Sequence, residues 1–251
     1  MVVFTCEDSF DAMMTCIYDA WSARLGHDNI KLQTEPVGNL ELFCEYRHID
    51  PDQEKVKKVI RSIQQKISPK AYRDIYRAAM SDEPQKLDII YRYIVMGFVY
   101  KSQITQMFAL PQVAALFELN RKVANEAHLF REFIRFSRLD NQILMSVIEP
   151  KCNVITLLAP DFSDRLPSEH WMIVDKTRML SVVHPADADY FLTPVTEEEF
   201  AHMKASQDGA DPYTGLWKAF FHSVAIDQRK NPRCQRNHLP LWYRKNMLEF
   251  Y

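Results

Sequence analysis

The sequence predicts an α+β fold, a mainly antiparallel sheet packed against a cluster of helices, and three observations carry that expectation. Short β-branched and aromatic runs stand near both ends of the chain. The stretch 52–131 between them repeats its apolar residues at helical spacing. Only 5 glycines against 12% aromatic residues favour regular, well-filled elements. A single domain covering residues 1–251, with a helical insertion at about 52–131, fits this order, because no repeat, low-complexity tract or linker interrupts it.

Residues 2–5 read as a strand. Asp8 or Ser9 can cap a helix running to about residue 25, with Phe10, Met13, Met14, Ile17 and Trp21 on its apolar side and Gly26 as its stop. Residues 40–46, after Pro36 and Gly38, are the next strand candidate. Val56, Val59, Ile60, Ile63 and Ile67 then share one helix face. Ser68-Pro69 ends that helix and opens another, since the missing proline N–H costs little at a first helical position; Glu83-Pro84 repeats the device. Residues 87–100 are apolar on several faces, as in a buried central helix. Pro111 opens a further helix with Leu116, Leu119, Val123, Ala127 and Phe130 on one side.

Beyond residue 133 the period changes. Residues 133–139 and 143–148 flank Asp140-Asn141-Gln142 as a hairpin, 171–174 and 179–183 form a second about 175–178, and 190–193 add a strand. Thr196 and Glu199 make a capping box, 208–211 a loop and 212–227 a last helix. The N-terminal and C-terminal strands are expected to join one sheet.

The formal net charge of -2 removes any global basic field, so contact with nucleic acid requires local clustering of the 31 Lys and Arg residues. Five cysteines, an odd number without zinc spacing, read as small buried hydrophobes in a reducing cytosol. The start of the chain has no signal-peptide pattern, and the most apolar stretch, 89–99, is broken by Arg92 and too short for a bilayer. A cytoplasmic protein without a membrane partner is expected. P-loop, GxGxxG, GxSxG and HExxH motifs are missing. No cofactor and no metal site is expected.

Three sets of residues can carry chemistry. Between residues 228 and 248 there is no Asp or Glu, while Arg229, Lys230, Arg233, Arg236, Arg244 and Lys245 alternate with Asn231, Gln235 and Trp242. Cations neutralise phosphates, amides reach phosphate or base edges, and an indole stacks on bases. The competing reading is a solvated basic edge with its aromatics packed on the body. The helix from 52 to 77 carries Lys55, Lys57, Lys58, Arg61, Lys66, Lys70, Arg73 and Arg77, either as a solvated face or as a phosphate-binding one. Glu126, His128, Arg135, Glu149 and Asp175 are candidate catalytic residues, because His beside carboxylates performs acid–base work near neutral pH. The stripe Arg121, Asn125, His128 and Glu132 serves equally well as a structural ion-pair network.

The linear order of short motifs is also informative. N-E-A-H-L-F-R-E-F-I-R-F (125–136) precedes S-V-I-E-P (146–150), N-V-I-T-L-L-A (153–159), F-S-D-R (162–165), W-M-I-V-D-K-T-R (171–178) and N-P-R-C-Q (231–235). This order resembles a bacterial family described as DNA-metabolism or DNA-repair proteins of unknown biochemical function. In that family the domain is fused ahead of uracil-DNA-glycosylase-like domains or encoded beside a radical-SAM DNA-modification protein. The resemblance covers nearly the whole chain, including Glu7-Asp8-Ser9-Phe10 where members commonly have Asp-Gly-Thr-Phe. It departs at Asp161, where members often have His. It implies a role with DNA and a partner protein, and it supplies no reaction. Three readings follow: a DNA-binding accessory protein using the basic segment, an enzyme acting on DNA or nucleotides, and a docking module for a radical-SAM or glycosylase partner. The last requires an exposed apolar patch.

Overall fold

The computed structural model describes residues 1–139, 143–207 and 212–250. They form an α+β fold in two compact units, Met1–Asn125 and Glu126–Tyr251.

In the first unit β1 (Val2–Cys6) lies between β2 (Ile30–Thr34) and β3 (Glu45–His48), parallel to both, with Val2 opposite Ile30 and Glu45. These strands form their own sheet and do not join the C-terminal one, which corrects the single-sheet expectation. The physical reason is α1 (Phe10–Ser22). It supplies the crossover that a parallel β1–β2 pair needs, and Ser9 caps it by accepting from the Ala12 N–H at 3.2 Å. β2 was not anticipated, although Ile30, Leu32 and Thr34 alternate inward with period two. The expected strand at 40–46 is mostly loop: Leu40, Leu42 and Phe43 are exposed, and β3 starts at Glu45.

Asp52 caps α2 (Gln53–Lys66) and Ser68 caps α3 (Pro69–Ala79), with the boundary between the two helices at Ser68-Pro69 as expected. α4 (Lys86–Tyr100) begins shortly after Pro84, not at it, and buries Leu87, Ile90, Tyr91, Tyr93 and Ile94. Asp88 and Arg92 on α4 serve the open edge of β2: Asp88 accepts from the Leu32 N–H at 3.2 Å and Arg92 donates to the Ile30 carbonyl at 2.6 Å. Edge groups that would otherwise lack partners are thereby satisfied. Gly97 lets α4 approach the end of α2, since a Cβ there would stand 2.6 Å from Ile67 Cδ1. The long α5 (Pro111–Phe133) buries the expected stripe from Leu116 to Phe130.

The second unit holds a five-stranded sheet in sequential order: β4 (Ser137–Arg138), β5 (Leu144–Ile148), β6 (Trp171–Asp175), β7 (Leu180–His184) and β8 (Phe191–Pro194). Three of its pairings are antiparallel, and β5–β6 is parallel. The parallel step uses α6 (Ile155–Arg165), which was not anticipated because Pro160 interrupts the pattern. Its signal was the spacing of Ile155, Leu158, Ala159 and Phe162, all buried. Trp171 is fully buried and stacks on His184 at 4.9 Å. Leu139, Met145 and Val174 pack against Phe200 and Met203 of α7 (Glu197–Gln207). Thr196 and Glu199 make the expected capping box, at 2.8 and 3.2 Å. α8 (Pro212–Ser223), α9 (Pro232–His238) and α10 (Leu241–Arg244) follow. The expected turn at 140–142 and loop at 208–211 lie outside the described residues.

Candidate functional site

The candidate acids gather about one turn, Glu149 to Cys152, which carries the chain from β5 toward α6: Glu126 bonds it directly, Asp175 reaches it through Arg178, and Glu149 belongs to it. Glu126, buried on α5, accepts from the Lys151 and Cys152 N–H groups at 2.8 Å each. Asp175 closes β6 with no exposed surface and accepts from the Thr177 N–H at 2.9 Å and the Arg178 N–H at 3.2 Å. Its other oxygen pairs with the Arg178 guanidinium at 3.0 Å. Burial raises the Asp175 carboxyl above the usual carboxylate range, against the pull of Arg178 and the two amides. Arg178 in turn donates to the carbonyls of Pro150 and Lys151. The Glu149 carbonyl accepts from Trp242 Nε1 at 2.9 Å, and its carboxylate meets Lys245 at 3.3 Å.

The acids therefore spend their hydrogen-bonding capacity on the chain itself. A crevice lined by Arg135, Glu149, Trp242 and Tyr243 encloses only about 10 Å³, the room of a single water. His128 lies apart from this turn in its bonding: it is exposed on α5 and meets Glu132 at 3.1 Å. Arg135 pairs at 2.9 Å with Glu249, whose side chain is buried, and its guanidinium lies 5.7 Å over the Trp217 ring. Trp217 Nε1 donates to the second Glu249 oxygen at 3.2 Å. Glu249 is thus the hub of an Arg–Glu–Trp cluster that sequence reasoning missed, because its partners lie 114 and 32 residues away.

His170 accepts from the Ala186 N–H, and His184 bonds the Glu169 carbonyl. Among the described residues no three His, Cys, Asp or Glu side chains are grouped as a metal ion would need. Three of the cysteines, Cys6, Cys16 and Cys152, are buried, but Cys234 is exposed and Cys44 partly so, which corrects the uniform expectation.

The basic segment divides in two. Its distal half packs on the body. Lys245 sits 4.0 Å and Lys151 5.7 Å from the Trp242 ring centre, Arg244 donates to the Leu239 carbonyl and lies over Phe250, and Tyr243 packs on Phe130. Its proximal half is open: every residue from 222 to 238 is exposed. Lys230 pairs with Asp227 at 2.6 Å, and Asn231 caps α9 through the Cys234 N–H. Arg236 donates to the Pro232 carbonyl. Among the described residues Arg229, Arg233 and Arg236 form no ion pair, and Gln235 lies beside them on an exposed surface.

A second surface was missed. Tyr213, Leu216, Trp217, Phe220 and Val224 recur at helical spacing on and just after α8, and all five are exposed. Leu216 and Tyr213 retain 64% of their accessible area. A cavity of about 430 Å³ opens beside them, lined by Arg135, Phe136, Tyr213, Thr214, Trp217 and Leu248.

Among the described residues no helix is long and apolar enough to cross a membrane. A family model described as Domain of unknown function (DUF4130) matches residues 84–249, well over half of the chain. The chain belongs to that family. No curated protein matches it. The match begins just before α4 and takes in the acids, the basic segment and the α8 face.

Proposed function

We propose, with that family membership as premise, that the protein is an accessory protein of DNA repair or DNA modification that binds DNA through its basic C-terminal segment. The observation that carries this reading is the open half of the segment, where Arg229, Arg233 and Arg236 stand exposed with no carboxylate partner among the described residues. Such cations bind phosphates and release the counterions condensed on them. Lys230 joins them at small cost, because an exposed pair such as Lys230–Asp227 is worth about 0–1 kcal/mol. Trp242, Arg244 and Lys245 have a different part in this reading: they anchor the segment on the body, and one lysine already covers the indole. The motif order at 125–178 and 231–235 that resembles DNA-repair proteins adds support.

Fluorescence anisotropy with single-stranded, duplex and uracil-containing duplex DNA at two salt concentrations tests the proposal. The expected result is binding that weakens with salt at about 0.9 log units per log unit of salt for each duplex phosphate neutralised, and about 0.7 for a single strand. Absence of binding to all three DNAs at low salt would remove direct DNA recognition.

The α8 face favours a second reading, a docking module for a radical-SAM or uracil-DNA-glycosylase-like partner. Contiguous exposed aromatic and aliphatic side chains are the mark of an interaction surface. Leu216→Glu with Phe220→Glu is expected to abolish co-elution with such a partner while DNA anisotropy stays as in the parent protein. Retained co-elution would remove α8 from the interface. The enzymatic reading keeps less support, since Glu126 and Asp175 are buried and bonded to backbone amides.

A further inference from the structure

The cations of α2 meet a feature the DNA reading does not use. Between α1, α2 and α4 lies a pocket of about 480 Å³, within the usual range of roughly 300–1,000 Å³ for small-molecule sites. Ile17, Ile63 and Ile94, all buried, form its floor. Trp21 and Phe98 make an aromatic wall, edge to face at 5.3 Å. Lys58, Lys66 and Lys101 line the same pocket, Lys58 at 5.8 Å from the Tyr18 ring and Lys66 at 5.9 Å from that of Phe98.

Charge decides the ligand class. No Asp or Glu lines the pocket, and none of the three lysines pairs with a carboxylate among the described residues. Lys55, one turn before Lys58, is neutralised by Asp19 at 2.8 Å, whereas Lys58 and Lys66 line the pocket without an ion pair among the described residues. Three positive charges beside an apolar floor attract anions and exclude cations, and the Trp21 and Phe98 rings, set edge to face, offer an aromatic surface on which a planar ring can pack.

Lys101 adds an independent sign. Its backbone has φ 55° and ψ -141°, a sparsely populated conformation for a residue with a side chain. Such strained conformations are found disproportionately at functional sites.

We propose that this pocket binds a planar heterocycle bearing phosphate, the chemistry of a nucleotide, with the ring against Trp21 and Phe98 and the phosphate among Lys58, Lys66 and Lys101. The source is either a free nucleotide or a nucleotide unit of a DNA strand. Most of the pocket, including Lys58, Lys66 and Trp21, lies before residue 84 and so outside the family match. The inference is independent of the basic C-terminal segment.

Isothermal titration of the full chain with AMP, adenosine, inorganic phosphate and a ten-residue oligothymidylate tests it. AMP is expected to bind and to quench tryptophan fluorescence, with adenosine and phosphate each weaker by about tenfold or more, about 1.4 kcal/mol. Lys58→Ala with Lys66→Ala, two exposed positions whose loss spares the core, is expected to weaken AMP about tenfold or more. Arg229→Gln, Arg233→Gln and Arg236→Gln together leave AMP binding unchanged. Tight binding of the oligonucleotide that falls with the lysine pair, with AMP weak, identifies the strand as the source. Failure of both AMP and oligonucleotide to bind the parent protein overturns the proposal, as does binding that the lysine variant retains in full.

Discussion

Glu126→Ala is expected to destabilise the second unit by about 1–3 kcal/mol, because the buried Cys152 N–H loses its acceptor, while the Lys151 N–H, only partly buried, can turn to water. Urea unfolding followed by tryptophan fluorescence reads this directly, since Trp171, Trp217 and Trp242 all belong to that unit. Glu126→Gln is expected to restore little. A carboxylate offers an acceptor to each of Lys151 and Cys152, whereas a carboxamide turns its NH₂ toward one of them. A midpoint unchanged in both variants would show that the turn does not depend on this residue. The same pair separates structure from catalysis: a general base at this position would lose activity at unchanged stability.

The second large effect concerns the open half of the basic segment. Arg229→Gln, Arg233→Gln and Arg236→Gln together are expected to lower duplex affinity on the order of 10²–10³-fold at 0.1 M salt. Each phosphate neutralised by a cation contributes about 0.9 to the log–log salt slope, and the gain in affinity vanishes toward 1 M. The slope itself should therefore become shallower by about 0.9 for each phosphate left without its arginine. All three positions are exposed and outside the core, so folding should be unaffected, which unfolding of the variant would verify. An unchanged slope would detach this segment from phosphate binding. Trp242→Ala serves as the contrast, since the indole donates to the Glu149 carbonyl and its loss should act on stability as well as binding.

Much of the fold was legible in the chain. Ser9 and Thr196 cap helices as their sequence context predicts, and Ser68-Pro69 marks the boundary of α2 and α3. The stripe from Leu116 to Phe130 and the hairpin of β6 and β7 follow their periods of 3.6 and two. What escaped was what propensity hides. Pro160 masked α6, although the helix survives around it. β2 is only five residues long, and its outer edge is completed by Asp88 and Arg92 from 56 and 62 residues away. Among the candidate site residues, charge clustering located Arg229, Arg233 and Arg236 on open surface, but it could not separate them from Arg244 and Lys245, which fold back on the body.

The sequence by itself determined the α+β class, the helices from α1 to α5 and the β6–β7 hairpin, and the absence of acids from the basic segment. Each of these depends on residue identity and on spacing within a few positions, which local sterics and amphipathicity read directly. Only the tertiary structure decided that the strands form two sheets, that Glu126 and Asp175 are turned inward onto backbone amides, and that α8 leaves its aromatic face uncovered. Those outcomes turn on which distant groups meet. A carboxylate has the same identity whether it faces water, a ligand or a peptide N–H, and burial and partners alone set its role.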